Sequence, residues 1–277
     1  MASPTMIPPT AAPDFAAIKG RQLAAWSTGN YAVVGTTLQI VGEQLAESLD
    51  LRAGSRVLDV AAGNGNATLA AARRFCDVTS TDYVPSLLEA GRARATAEGL
   101  PVRFLEADAE QLPFDDASFD VVVSTFGVMF TPNQPQAAAE LVRVCRPGGR
   151  IGLANWTPTS FIGQLFRLIG RYIPPAPGLV SPSAWGSQSR LEELFSGRVS
   201  AISLTPREFV FRYRTPMHFI EVFRTFYGPV NKAYAALEAP RQEMFTEELL
   251  TLIAEHNRSG DETLVLPSEY AEIVIDR

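Results

Sequence analysis

The 277-residue chain is poor in the side chains that build metal sites and disulfide frameworks, with two cysteines and two histidines. Cys76 and Cys145 lie far apart and neither belongs to a CxxC pair, so no metal cluster and no disulfide framework is expected. Both read as buried thiols. Positive charge is scarce too: 24 Lys and Arg against 30 Asp and Glu give a formal net charge of −6, with no basic run. A nucleic-acid partner would leave a clustered Lys/Arg footprint, so none is expected. No stretch approaches the roughly 18 apolar residues of a membrane span. The opening MASPTMIPPTAAPDF lacks the cationic start and apolar run of a signal peptide. The expectation is therefore a cytoplasmic protein without a membrane partner. No internal repeat is visible.

Hydrophobic residues make up 46% of the chain, enough for a substantial core. Residues 1–13 are rich in Pro, Ala and Thr and are expected to be mobile or draped on the surface. Asp14 is placed to cap a helix running to Trp26. Residues 28–30 (TGN) break it, and a second helix is predicted over 31–49, with Val34, Leu38, Val41, Leu45 and Leu49 at helical spacing. From Ser55 strands and helices alternate. Strands are predicted at 56–61, 77–82, 102–106, 119–124 and 150–155, and helices at 67–74, 85–98 and 134–145. Such alternation implies a parallel, doubly wound sheet covered on both faces. Beyond Trp156 the reading is an amphipathic helix at 160–173, a Pro/Gly-rich loop at 174–182 and a short helix at 190–195. An extended segment at 202–213, broken at Pro206, then precedes helices at 217–227 and 241–256 and a closing strand at 270–276. Three parts follow: 1–50, a tail and helical cap; 51–156, a nucleotide-binding core; 157–277, a part that completes the sheet and adds helices over the site.

The sharpest local signal is VLDVAAGNGN at 57–66, where the first strand meets the first helix of the core. Gly63 and Gly65 let the backbone turn tightly and approach a ligand. Amides at a helix start receive an anionic group, and the carboxyl edge of an open parallel sheet is where nucleotide-like ligands bind. A dinucleotide fingerprint would carry a third glycine where Thr68 stands. Asp59 would repel a pyrophosphate, but it suits a cationic ligand with an ammonium and a sulfonium.

In these residues the sequence resembles the class I S-adenosylmethionine-dependent methyltransferase family, in its small-molecule branch. Its first motif is a strand ending in Asp/Glu-x-Gly-x-Gly-x-Gly; Asp59, Ala61, Gly63 and Gly65 match it, with Ala61 in place of the first glycine. The resemblance covers about residues 56–156. It implies an α/β, Rossmann-like, doubly wound seven-stranded sheet whose antiparallel last strand inserts between the fifth and sixth, with helical lid additions. It implies S-adenosyl-L-methionine as cofactor. Asp82, seventeen residues after Gly65, would take both ribose hydroxyls, as a carboxylate accepts in bidentate fashion. Tyr83 would lie against the adenine, Asp108 would accept from its amino group and Ala109 would offer its backbone amide. The run AEQLPFDDASFDVVVS (109–124) follows the family's path from the adenine site to the fourth strand, and there Asp120 reads as a turn or strand-start residue. Ser124 and Phe126, in STFG, would face the place where methyl group and acceptor meet. WSTGNY (26–31) resembles the segment that closes over the cofactor, which puts Trp26 or Tyr31 in the wall. CRPGG (145–149) is an architectural turn.

The acceptor side is read from what surrounds STFG. Enzymes that methylate base amino groups or glutamine amides carry Asn/Asp-Pro-Pro-Tyr/Phe there, and this chain does not. Phe126, Met129, Phe130, Trp156, Phe161, Phe166, Tyr172, Trp185, Phe223 and Tyr227 point to core packing or to a small, largely apolar acceptor. Methyl transfer from a sulfonium needs alignment and desolvation more than a base. His218 is the candidate if a base is used. Two alternatives remain at this point: an NAD(P)-dependent oxidoreductase, which the lack of a Tyr-x-x-x-Lys pair weakens, and a non-catalytic S-adenosylmethionine-binding protein.

Overall fold

The computed structural model describes residues 13–28 and 30–277; nearly all of the Pro/Ala/Thr-rich start and Gly29 lie outside them. Three N-terminal helices, α1 (Phe15–Trp26), α2 (Ala32–Gly35) and α3 (Gln39–Ser48), precede the core. The core alternates β1 (Arg56–Val60), α4 (Asn66–Arg73), β2 (Asp77–Asp82), α5 (Pro85–Ala97), β3 (Val102–Glu106), β4 (Phe119–Thr125), α6 (Gln134–Val144) and β5 (Cys145–Trp156). There follow α7 (Phe161–Tyr172), α8 (Gln188–Phe195), β6 (Ala201–Tyr213), α9 (Pro216–Phe226), α10 (Gly228–Ala236), α11 (Ala239–His256) and β7 (Leu264–Asp276).

The strands form one sheet in the order β3-β2-β1-β4-β5-β7-β6. The pairs from β3 to β5 are parallel, and β7 runs antiparallel between β5 and β6. The expected seven-stranded class I methyltransferase sheet is present. Val57, Leu58 and Val60 are fully buried, as a central strand covered on both faces requires. Chain order reverses between β1 and β4, and ligands of open α/β sheets bind at such a switch point, beyond the carboxyl ends of the strands.

Three element readings are corrected. The helix expected over 31–49 is interrupted by a 3-10 turn at Thr36–Leu38. The extended segment does not break at Pro206: β6 is continuous and Pro206 pairs with Ala271. β6 is an edge strand, so a missing N–H on its open side costs no ladder bond. β7 begins at Leu264 rather than at 270, and its first six residues pair with β6 alone.

The cap is tied closely to the core. Gly42 of α3 lies where a Cβ would come within 2.7 Å of the Asn66 carbonyl, so α3 packs backbone to backbone on α4. Leu49 fills the space a side chain at Gly152 of β5 would need, its Cδ1 standing 2.5 Å from that Cβ position.

Candidate active site

The carboxyl ends of β1, β2 and β4 converge on a pocket of about 830 Å³ measured to its mouth. Its floor is the loop after β1. Ala61, Gly63 and Gly65 all have left-handed backbone, with φ of 51°, 58° and 83°. Phe126, leaving β4, also has positive φ, 53°. Two non-glycine residues in this region at neighbouring strand ends hold strain of about 1–3 kcal/mol each, which a packed site sustains. Gly127 shows how close the two turns run: a Cβ there would stand 2.1 Å from the Ala61 carbonyl oxygen. Arg94 of α5 clamps the loop by donating to the Asn64 carbonyl (2.7 Å) and to Asn66 Oδ1 (2.9 Å).

Eight of the eleven residues expected to hold the cofactor line this pocket: Tyr31, Ala61, Gly63, Asp82, Tyr83, Asp108, Ala109 and Phe126. Asp82 ends β2, and its Oδ2 and Oδ1 each accept at 2.9 Å, from the amides of Gly63 and Val84. Burial pushes its carboxyl up to about 6, against those two hydrogen bonds. Asp108 follows β3. Its Oδ1 accepts from the Glu110 amide at 2.9 Å, and its Oδ2 lies 2.6 Å from Lys19 Nζ.

The other three stand behind the wall. Asp59 is fully buried, and its Oδ2 accepts from the amide (2.8 Å) and hydroxyl (2.6 Å) of Thr68, fixing the first turn of α4. Its Oδ1 has no partner among the described residues, and burial pushes the carboxyl up to about 7. Gly65 is the turn residue that starts α4. Ser124 is buried; its hydroxyl donates to the Val60 carbonyl (2.7 Å) and accepts from the Val128 amide (3.0 Å), which joins β4 to β1.

His218 does not reach the site. It is half-buried near the start of α9, its Nδ1 accepts from the Arg214 amide at 3.3 Å, and its ring packs on Tyr213. It lines none of the hollows described here. Asp120 is structural: it accepts from the Arg56 amide and from Arg146, which hold its carboxyl well below the usual range. Phe161 and Trp185 are core residues with no exposure. Among the described residues no cluster of side chains could hold a metal ion, and no helix is long and apolar enough to cross a membrane.

Two contributions have no signal in the sequence. Lys19 of α1 bridges Asp108 and Glu110, 2.6 and 2.9 Å from their carboxylates. Burial works against its ammonium, but these bonds outweigh it and hold its pKa above the ordinary value. Gln22, one turn on, donates to the Phe130 carbonyl at 2.9 Å. Trp26 packs edge-on against Tyr31, Phe130 and Tyr227. α1 therefore roofs the pocket.

Behind Tyr31 and Phe126 lies a closely packed aromatic annex with free space for about one water. Tyr31, Leu38, Phe126 and Phe130 belong to both walls, and Trp156, Phe211, Phe223 and Tyr227 help to close the far side. Phe126 stacks on Trp156, ring centroids 4.1 Å apart and planes 13° apart. No lining residue of the annex is charged. Burial raises the phenols of Tyr31 and Tyr227 well above the ordinary value, so both remain protonated at neutral pH.

The profile of the family described as "Methyltransferase domain" matches residues 58–153. An uncharacterized protein of Mycobacterium tuberculosis is 41% identical over 240 residues, which cover 84% of this chain and 85% of that one. The demethylmenaquinone methyltransferase of Deinococcus radiodurans is 37% identical over 142 residues, 50% of this chain and 59% of that protein. The YcgJ protein of Bacillus subtilis, at 20% identity, shares the fold with a TM-score of 0.56, covering 88% of this chain and 99% of that one. The chain is a class I S-adenosylmethionine-dependent methyltransferase, and S-adenosyl-L-methionine is its cofactor. Within that class it belongs to one family with the Mycobacterium tuberculosis protein.

Proposed function

We propose that the chain moves the methyl group of S-adenosylmethionine to a small, largely apolar molecule whose reacting head sits in the cofactor pocket against the aromatic wall it shares with the annex. The observation that carries this reading is that wall, uncharged on the annex side and contributing Tyr31, Leu38, Phe126 and Phe130 to the cofactor pocket. When bound, the cofactor supplies a methyl group already activated on a sulfonium. Asp82 takes the ribose hydroxyls with lone pairs its two amide donors leave free. Asp108 accepts from the adenine amino group and Ala109 offers its amide beside it. The unpartnered Asn64 Nδ2, on the pocket wall, leaves a donor at the loop for an amino-acid-like end, and Gly63 has no Cβ to fill that cradle.

No group in the annex is suited to act as a base at neutral pH. Tyr31 and Tyr227 are held as phenols there and serve as hydrogen-bond donors that orient an acceptor. Rate enhancement then comes from alignment and from the exclusion of water by aromatic walls. The test is to incubate the protein with methyl-labelled S-adenosylmethionine and a cell extract split into organic and aqueous fractions. Label should enter a compound of the organic fraction. Label confined to the aqueous fraction would contradict an apolar acceptor.

A further inference from the structure

Beyond Phe130 lies a third hollow, about 1480 Å³ measured to its mouth. One side of it is α7. That helix buries Phe161, Leu165 and Leu168 in the core, while Phe166 and Ile169, with Ile173 just past its end, are half-buried along a second stripe. A helix that is apolar on two faces needs two apolar neighbours. The core is one, and the hollow holds none for the other. Leu179 and Val180 face it across the gap, Val180 with 44% of its surface exposed. Of the lining residues only Arg167 is charged.

What it binds is indicated by its position. The hollow shares Gln22, Phe130, Thr131 and Pro132 with the cofactor pocket. Phe130 lines the cofactor pocket, the annex and this hollow alike, and its ring lies edge-on between Trp26 (5.1 Å) and Phe166 (5.7 Å). A molecule whose head lies against the aromatic wall of the cofactor pocket has one side chain, Phe130, to pass before reaching this trough. The steps from Phe166 to Ile173 alone give about 10 Å of wall at about 1.5 Å per residue.

We propose that this hollow takes the hydrocarbon tail of the methyl acceptor, so that the substrate class is a compact head carrying a long acyl or prenyl chain. This rests on the reading that the head lies against the aromatic wall of the cofactor pocket. Phe130 is then the specificity-determining partition between head and tail.

The test uses hexan-1-ol, octan-1-ol and decan-1-ol as probes, titrated calorimetrically into the protein saturated with S-adenosylhomocysteine, so that the cofactor pocket is filled. Affinity should rise about fourfold per added methylene, as about 0.8 kcal/mol per buried CH₂ gives. Gly170 lines this hollow and a Cβ there meets nothing within 4 Å, so Gly170→Trp starts an indole into the trough from an open position, and circular dichroism checks that the variant is folded. It should weaken decanol binding at least tenfold and leave S-adenosylhomocysteine affinity unchanged. Val180→Glu, at an exposed position, should act in the same direction. Affinity that is flat with chain length, or equal in wild type and both variants, would overturn the tail site. So would a dimer in sedimentation that Gly170→Trp dissociates, which would assign the face to a second copy of the chain. If wild type fails to bind S-adenosylhomocysteine, it is the cofactor reading that fails.

Discussion

Lys19 and Asp108 are 89 residues apart in sequence and 2.6 Å apart in the fold. Glu110 completes the contact at 2.9 Å from the same ammonium. The ion pair ties α1, the roof, to the turn after β3, and Asp108 is the carboxylate assigned to the adenine end. We propose that the roof lifts for the cofactor to exchange and that this partly exposed ion pair sets part of the barrier. Exposed pairs contribute about 0.2–1 kcal/mol, and salt weakens them. Lys19→Met is expected to raise the dissociation rate of S-adenosylhomocysteine by about two- to fivefold in stopped-flow measurements. Raising the ionic strength should speed release from the wild type and change the variant little.

The turns after β1 and β4 are packed too tightly for any side chain at Gly127. Gly127→Ala would place a methyl 2.1 Å from the Ala61 carbonyl oxygen. It should lower stability to urea by about 2–3 kcal/mol, the cost of overpacking a rigid contact. Gly170→Ala, in open space on α7, is expected to be neutral or to stabilise by up to about 1 kcal/mol through helix propensity. Equal effects of the two would contradict the close crossing of the turns.

Stability and affinity should respond to pH in opposite directions. Asp59 and Asp82 are raised from 3.8 to about 7 and about 6 by burial. Between pH 4 and 7 the native state therefore holds more protons than the unfolded chain, and stability falls as pH rises through the folded values. The melting temperature of the ligand-free protein should be lower at pH 8 than at pH 6, and Asp59→Asn should flatten that dependence. Cofactor affinity should instead increase as pH rises through about 6, because ribose hydroxyls bind the ionised Asp82. A melting temperature that rises from pH 6 to pH 8 in the wild type would contradict the assigned burial.

The parallel half of the molecule was legible because strands there alternate with helices, except between β3 and β4. The loop was legible because its chemistry is contiguous: Asp59, Ala61, Gly63 and Gly65 fall within seven residues. The C-terminal half was harder to read for a physical reason. Pro206 and Pro267 look like breaks, yet each lies where one side of its strand has no neighbour, so a missing N–H is harmless. Gly228 and Pro229 open α10, with the proline in the first turn where its lack of a donor costs nothing. Ser124 looked like a site residue because it follows a strand that ends at the site; its hydroxyl is spent on backbone groups of β1 and the following turn. Lys19 could not be found from sequence at all, since a single lysine on an N-terminal helix carries no mark of its distant partners.

The central claim is that Asp82, at the end of β2, anchors the cofactor in the pocket formed by β1, β2 and β4. Its most direct test is calorimetric titration of S-adenosylhomocysteine into the wild type and into Asp82→Ala, with circular dichroism to confirm that the variant is folded. The expected result is one site per chain in the wild type and a loss of about 2–3 kcal/mol in the variant, the cost of removing a charged acceptor, which is a Kd weaker by roughly 30- to 150-fold. A folded Asp82→Ala that binds as tightly as the wild type would contradict it.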